Sequence, residues 1–223
     1  MNQAGHDSPR PRFSLIGLLL AVSVIAIALA YVVTLRRLMV AEAELIRLRQ
    51  ETGYLEPTAD DTVAAVRLIS DQPMTFRLRV RVPASPRYRL AYSSVWPQGA
   101  SQPAWFGAVP MPPGESVVIV RIVKDIRDER WKITTLRRGD DGTRRIATVL
   151  PDPHVAVFTG SHDWLRSGIP RDKTTTVAVG KSIRLLDERV LVGEGATMLY
   201  GDAPADDDMI GVFAELQPDS GPL

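Results

Sequence analysis

Cysteine is absent from this chain, and only three histidines occur in its 223 residues. Without a thiol there is no disulfide, no thiolate nucleophile and no Cys-ligated zinc or iron–sulfur centre, so packing alone must stabilise the fold. Aromatic residues are sparse at 6%, and neither sign of charge dominates, the formal net charge being +1. The balance hides an asymmetry. Basic residues stop at Arg189, and from Val190 onward Glu194, Asp202, Asp206, Asp207, Asp208, Glu215 and Asp219 have no cation to offset them. Such a tail resists nucleic acid and anionic lipid, so no nucleic-acid partner is expected. No internal repeat or low-complexity tract is visible.

What is present begins with one long apolar run. Between Arg12 and Arg36, residues 13–35 contain no charge, and as a helix they span roughly the 30 Å of a bilayer's hydrocarbon core. A lone segment can satisfy its backbone in lipid only as a helix. Ala26-Ile-Ala28 and Ala28-Leu-Ala30 match the cleavage pattern of a signal peptide, but the run continues through Val32, Val33 and Leu35. An uncleaved, single-pass transmembrane helix over 13–35 is the expectation, with residues 1–12 as a basic tail. Arg36, Arg37, Arg47 and Arg49 outnumber Arg10 and Arg12 and favour a cytoplasmic domain, yet long domains translocate largely regardless of charge. A first apolar segment after a short basic tail sends its C-terminal side outward, so the domain is placed outside the cytoplasm.

Beyond the anchor, Leu38, Ala41, Leu45 and Leu48 are spaced 3, 4 and 3 apart with charges on the other faces, which predicts helix over 36–52 until Thr52 and Gly53 end it. The seam covers barely two heptads, fewer than the roughly three or four a coiled coil requires. Two readings stand: a juxtamembrane helix packing on its own domain, and a homodimer stalk through 36–51.

From Thr62 the helical period gives way to short strands. Met74 to Val82 alternates Phe76, Leu78, Val80 and Val82 with Thr75, Arg77, Arg79 and Arg81, one apolar face and one arginine face. Arg87 to Tyr92 repeats the pattern, which predicts a hairpin through Pro83-Ala-Ser-Pro86. A loop rich in proline, glycine and tryptophan is expected over 96–114. Ser116 to Val123 reads as a central strand, and Trp131 to Leu136 and Arg144 to Val149 flank a Gly139-Asp-Asp-Gly142 turn. Further strands are expected at Val155 to Thr159, Thr174 to Val179, Ser182 to Val192 (as two strands or one bent strand), Thr197 to Tyr200 and Met209 to Leu216. About eight to ten strands without intervening helices predict a mainly β protein, an antiparallel, jelly-roll-like β-sandwich over 53–216 with a disordered tail over 217–223.

Certain stretches carry a resemblance: Arg-Phe-Ser-Leu at 12–15, an Arg- and Glu-rich stalk, Gly-Tyr-Leu-Glu at 53–56, Phe-Arg-Leu-Arg-Val at 76–80 and Arg-Tyr-Arg-Leu at 87–90. From the N-terminus to His162-Asp-Trp-Leu165 the chain resembles uncharacterised single-pass membrane proteins of planctomycete bacteria. The resemblance implies an architecture and a bacterial membrane location, and no activity.

Catalytic and cofactor motifs fail on inspection. Gly180-Lys181-Ser182 mimics the end of a phosphate-binding loop, but position 175 is Thr and strand follows instead of helix. Gly193-Glu-Gly195 lacks a third glycine, since position 198 is Met. Ser161-His162-Asp163 holds triad residue types, but neighbours on an extended chain point apart. His154 with His162, or Asp206-Asp207-Asp208, lack the spacing of a metal site. No catalytic residue, metal or cofactor is assigned.

The arginine face stands above this background. In a hairpin, Arg77, Arg79, Arg81, Arg87 and Arg89 cluster on one surface, with Trp96 and Trp105 at its edge, suited to an acidic glycan, lipid head group or protein. The bland alternative pairs those arginines with Asp125, Asp128 and Glu129 and uses them against edge aggregation. The expected function is a membrane-anchored, non-enzymatic binding or scaffold module. One alternative is an anchored hydrolase using His162 and the carboxylates of 206–208; another is a structural envelope component that self-associates through its stalk.

Overall fold

A computed structural model describes residues 15–59, 61–160, 163–171, 173–191 and 208–221. Among these the chain divides into two compact units, Met1–Arg47 and Leu48–Leu223. Helix α1 runs without a break from Leu15–Thr52, joining the expected membrane and juxtamembrane segments in one element. From Leu15 to Arg49 it is long and apolar enough to cross a membrane, with none of that span buried. In the apolar run the Ser23 hydroxyl bonds back to the Leu19 carbonyl and that of Thr34 to the Ala30 carbonyl, which satisfies both groups within the helix. The helix ends where the sequence says it should. Gly53 adopts φ 61°, and the Tyr54 N–H reaches back to the Arg49 carbonyl at 3.0 Å. This is a Schellman stop, for which glycine has no Cβ penalty.

The second unit is a mainly β, sandwich-like domain with, among the described residues, eleven strands in two antiparallel sheets. The strands are β1 (Thr62–Leu68), β2 (Thr75–Val82), β3 (Tyr88–Trp96), β4 (Gly107–Met111), β5 (Gly114–Lys124), β6 (Trp131–Gly139), β7 (Gly142–Val149), β8 (Asp163–Gly168), β9 (Thr175–Ala178), β10 (Ile183–Leu191) and β11 (Met209–Pro218). One sheet has the order β7-β6-β5-β2-β1-β9, the other β4-β3-β11-β10-β8. Their apolar faces share one core, to which β2 gives Phe76, Leu78, Val80 and Val82, and β3 gives Tyr88, Leu90 and Tyr92. Polar links also cross it. The Tyr92 hydroxyl lies 2.9 Å from that of Thr148 on β7.

Four expectations need correction. First, β2 and β3 do not form a hairpin; they belong to different sheets. Alternation fixes which face of a strand is buried, not who its neighbour is, and here the two apolar faces meet across the core. Second, Val155 to Thr159 is not a strand but the end of helix α2, Asp152–Thr159. Its first turn holds Asp152 and Pro153, and the N–H groups of His154 and Val155 donate to the Pro151 carbonyl. Val-Ala-Val-Phe is too short for its period to decide between helix and strand, and proline in the first turn tips it to helix. Third, the expected loop over 96–114 contains β4, which pairs with β3. Fourth, β11 continues to Pro218, and the Asp219 N–H donates to the Arg87 carbonyl at 2.8 Å. The sheet therefore holds the chain past residue 216.

The Asp140-Asp141 turn joins β6 to β7, with Gly139 opposite Gly142. Strand β10 is continuous but irregular, its register against β11 shifting between Arg184 and Leu186. Strand β8, which the sequence did not announce, pairs with β10 along its whole length. The expected strand at Thr197 to Tyr200 lies outside the described residues.

Candidate functional site: the outer face of the six-stranded sheet

Because Phe76, Leu78, Val80 and Val82 face the core, β2 turns Arg77, Arg79 and Arg81 outward. Neighbouring strands extend that face by register. Arg79 stands opposite Val117, and Val117 opposite Arg138. Arg77 stands opposite Ile119, Ile119 opposite Leu136, and Leu136 opposite Arg145. Arg121 follows on β5, two residues beyond Ile119 on the same face. A field of guanidiniums thus surrounds half-buried Val117, Ile119 and Leu136, with adjacent backbones about 4.8 Å apart. On the β1 side the same face is covered: Leu55 is buried against Ala64 and Val66, and Gly53 abuts Leu68.

Charge on this field is largely uncompensated. Among the described residues, Arg77, Arg79, Arg121 and Arg138 have no ion-pair partner. Arg81 is occupied: it binds the Glu115 carboxylate at 2.5 Å and also donates to the Glu56 carbonyl and the Thr58 hydroxyl. Arg145 lies 3.9 Å from Asp125. The carboxylates expected to neutralise the arginines are engaged elsewhere. Asp125 binds Arg127 at 2.7 Å and Lys132 at 3.0 Å, Asp128 binds Lys132, and Glu129 pairs with Lys124 at 3.8 Å. The side chain of Arg127, then its backbone N–H, then Lys132 hold the Asp125 carboxyl far below the usual carboxylate range.

Arg87 and Arg89 do not join this field. Arg87 is exposed just before β3, and Arg89 lies on β3 in the five-stranded sheet, 3.6 Å from Asp219 and donating to the Gly221 carbonyl. The five arginines therefore split three and two between the sheets, since the hairpin that would have joined them is absent. Trp96 and Trp105 do not border the field either. Arg184 of the five-stranded sheet stacks over both, at 4.8 Å and 5.6 Å, and Arg189 over Trp96 at 4.9 Å.

Residues considered for catalysis are not assembled among the described residues. His162, Asp206 and Asp207 lie outside them, as does Gly193-Glu-Gly195. The Asp208 carboxylate accepts from the Gln98 backbone N–H at 3.0 Å. His154 Nδ1 lies 2.8 Å from the Ser94 hydroxyl. Ser94 is wholly buried. Burial lowers the His154 pKa, with Asp208 opposing. Gly180 and Lys181 form a turn in which the Gly180 N–H donates to the Tyr88 hydroxyl at 2.7 Å, and strand follows. No three His, Asp or Glu side chains among the described residues converge as metal ligands.

Sequence reasoning missed Arg121 and Arg138 because only cross-strand register puts them beside Arg77 and Arg79. It also missed a buried pair, Arg67 and Glu188. Arg67 is a lone charge in an apolar run (Val-Ala-Ala-Val-Arg-Leu), a pattern that signals either a paired buried charge or a site, whereas Glu188, between Asp187 and Arg189, carries no such mark. Compared with models of protein families, with curated proteins and with solved structures, the chain gives no match.

Proposed function

We propose that this chain is a single-pass, membrane-anchored binding module of a bacterial envelope, non-enzymatic, whose outer six-stranded face engages an acidic glycan. The observation that carries the reading is the set of four arginines, Arg77, Arg79, Arg121 and Arg138, that share one sheet face without a partner carboxylate among the described residues. Unpaired guanidiniums around an apolar centre favour bidentate contact with carboxylates carried on a repeating backbone. The helix from Leu15 serves as the anchor, and the domain lies on the extracytoplasmic side. In this reading the full chain, solubilised in detergent, is retained on polygalacturonate beads at low salt. The variant Arg77→Gln/Arg79→Gln/Arg138→Gln is released with an unchanged melting temperature. Equal retention of the variant contradicts the reading.

A second reading, self-association through residues 36–51, is favoured by the exposure of Leu38, Leu45 and Leu48 along one seam of α1. Light scattering of the detergent-solubilised chain distinguishes a dimer from a monomer, and a monomer at tens of micromolar counts against it.

A further inference from the structure

Between the sheets, at the end of the sandwich marked by the β1–β2 loop, lies a cleft of about 440 Å³. Its base is an ion pair that spans the core: Arg67 of β1 binds Glu188 of β10 at 2.5 Å, with side-chain exposures of 6% and 0%. Well-packed apolar residues would hold the sheets together at least as well as such a pair, so stability alone is no account of it. Around the same carboxylate stand two further cations. Arg166 of β8 places Nε 3.4 Å from the second oxygen of Glu188 without making a hydrogen bond. Arg171, in the loop after β8, is electrostatically coupled to Arg67, Arg166 and Glu188.

Cations are in surplus here. Glu188 is shared between Arg67 and Arg166, and the cleft's only other carboxylate among the described residues is Asp71, which pairs with neither Arg166 nor Arg171. Neither of those arginines donates a hydrogen bond to the protein among the described residues, so the terminal NH groups of Arg166, whose Nε faces Glu188, and the fork of Arg171 remain available at the mouth. Apolar lining comes from both sheets. Phe76 lies under the Arg67 guanidinium at 5.4 Å, Trp164 stacks on Phe158 at 6.1 Å, and Met74 packs on the core. Met74 is held at φ 51°, a conformation side chains other than glycine avoid, with its carbonyl fixed by the Ile122 N–H at 3.0 Å. Backbone of this kind gathers at ligand sites. The volume suits a small molecule and not a polymer.

We infer that this cleft is a binding site for a small organic carboxylate, whose anionic head lies between Arg166 and Arg171 and whose apolar body rests on Trp164, Phe76 and Met74. Guanidinium forks donate two parallel hydrogen bonds to a carboxylate. Inorganic phosphate satisfies the forks but leaves the apolar wall wet, so it binds more weakly. The site is separate from the outer arginine face and stands or falls independently of it.

The test is calorimetric titration of the full chain in detergent micelles at low ionic strength, with benzoate as probe and inorganic phosphate as comparison. Saturable one-to-one benzoate binding is expected, tighter than phosphate, and weakened at least about tenfold by Arg171→Gln and by Arg166→Gln. Both residues are exposed, and an unchanged melting temperature verifies that the variants fold. Benzoate binding should be unaltered by Arg77→Gln/Arg79→Gln. Absence of saturable benzoate binding, binding that survives Arg166→Gln/Arg171→Gln, or binding lost with Arg77→Gln/Arg79→Gln overturns the inference.

Discussion

At the scale of single residues, two buried charges carry the sharpest consequences. Arg67 and Glu188 neutralise each other inside the sandwich, so removing Glu188 leaves Arg67 an unpaired buried charge, and removing Arg67 leaves buried Glu188 with only the exposed Arg166 at 3.4 Å. Arg67→Met is expected to cost about 3–5 kcal/mol, whereas Arg67→Met/Glu188→Leu recovers most of that loss. Urea unfolding of the three proteins checks this, and a double variant no better than the single contradicts it. Asp125 gives the pH counterpart. Its folded pKa is depressed, through Arg127 first and Lys132 after. Its contribution to stability is therefore present above the ordinary value of 3.8 and is lost as pH falls toward the folded pKa. Calorimetry across pH 7 to 2 should show Asp125→Asn less stable at neutral pH and with a flatter decline below about pH 4. Parallel declines in the two proteins would show that the turn at 125–130 does not depend on that carboxylate.

Elements show which sequence signals are local and which are not. At Gly168 the edge strand β8 passes so close to β10 that a Cβ would lie 2.9 Å from the Leu185 carbonyl oxygen, and φ is +92°. Gly168→Ala is therefore expected to lower stability by about 1–3 kcal/mol, read as a fall in the urea midpoint. Nothing before Gly168 in the sequence marks β8, because Trp164, Leu165, Arg166 and Ser167 neither alternate cleanly nor form an apolar run. Legible elements were those whose cause is local. The apolar run and the Thr52-Gly53 stop gave α1, Phe76 to Val82 gave β2, and Gly139 to Gly142 gave the β6–β7 turn. Illegible features depend on partners far along the chain. The jump of β3 to the opposite sheet and the burial of Arg67 against Glu188, 121 residues away, follow from how two apolar faces close on one core. The candidate site was accordingly half legible. Arg77 and Arg79 could be read from alternation, Arg121 and Arg138 could not, and Arg87 and Arg89 were drawn in by a hairpin that the fold does not make.

For the whole molecule, the anchor and the arginine field together make the proposed function, and each can fail separately. A chain tethered through α1 with its domain outside the cytoplasm is digested by protease added to intact cells, leaving a membrane-embedded fragment. Full protection would place the domain on the other side and remove envelope glycans as partners. The binding claim is tested most directly by the salt dependence of affinity for soluble polygalacturonate, measured for the full chain in detergent and for Arg77→Gln/Arg79→Gln/Arg138→Gln. Exposed arginines bound to a polyanion are screened over about 10 Å at 0.1 M salt. The account predicts that wild-type affinity falls steeply as salt rises and that the variant binds weakly with a shallow slope. Equal affinity and equal slope for the two proteins would contradict it.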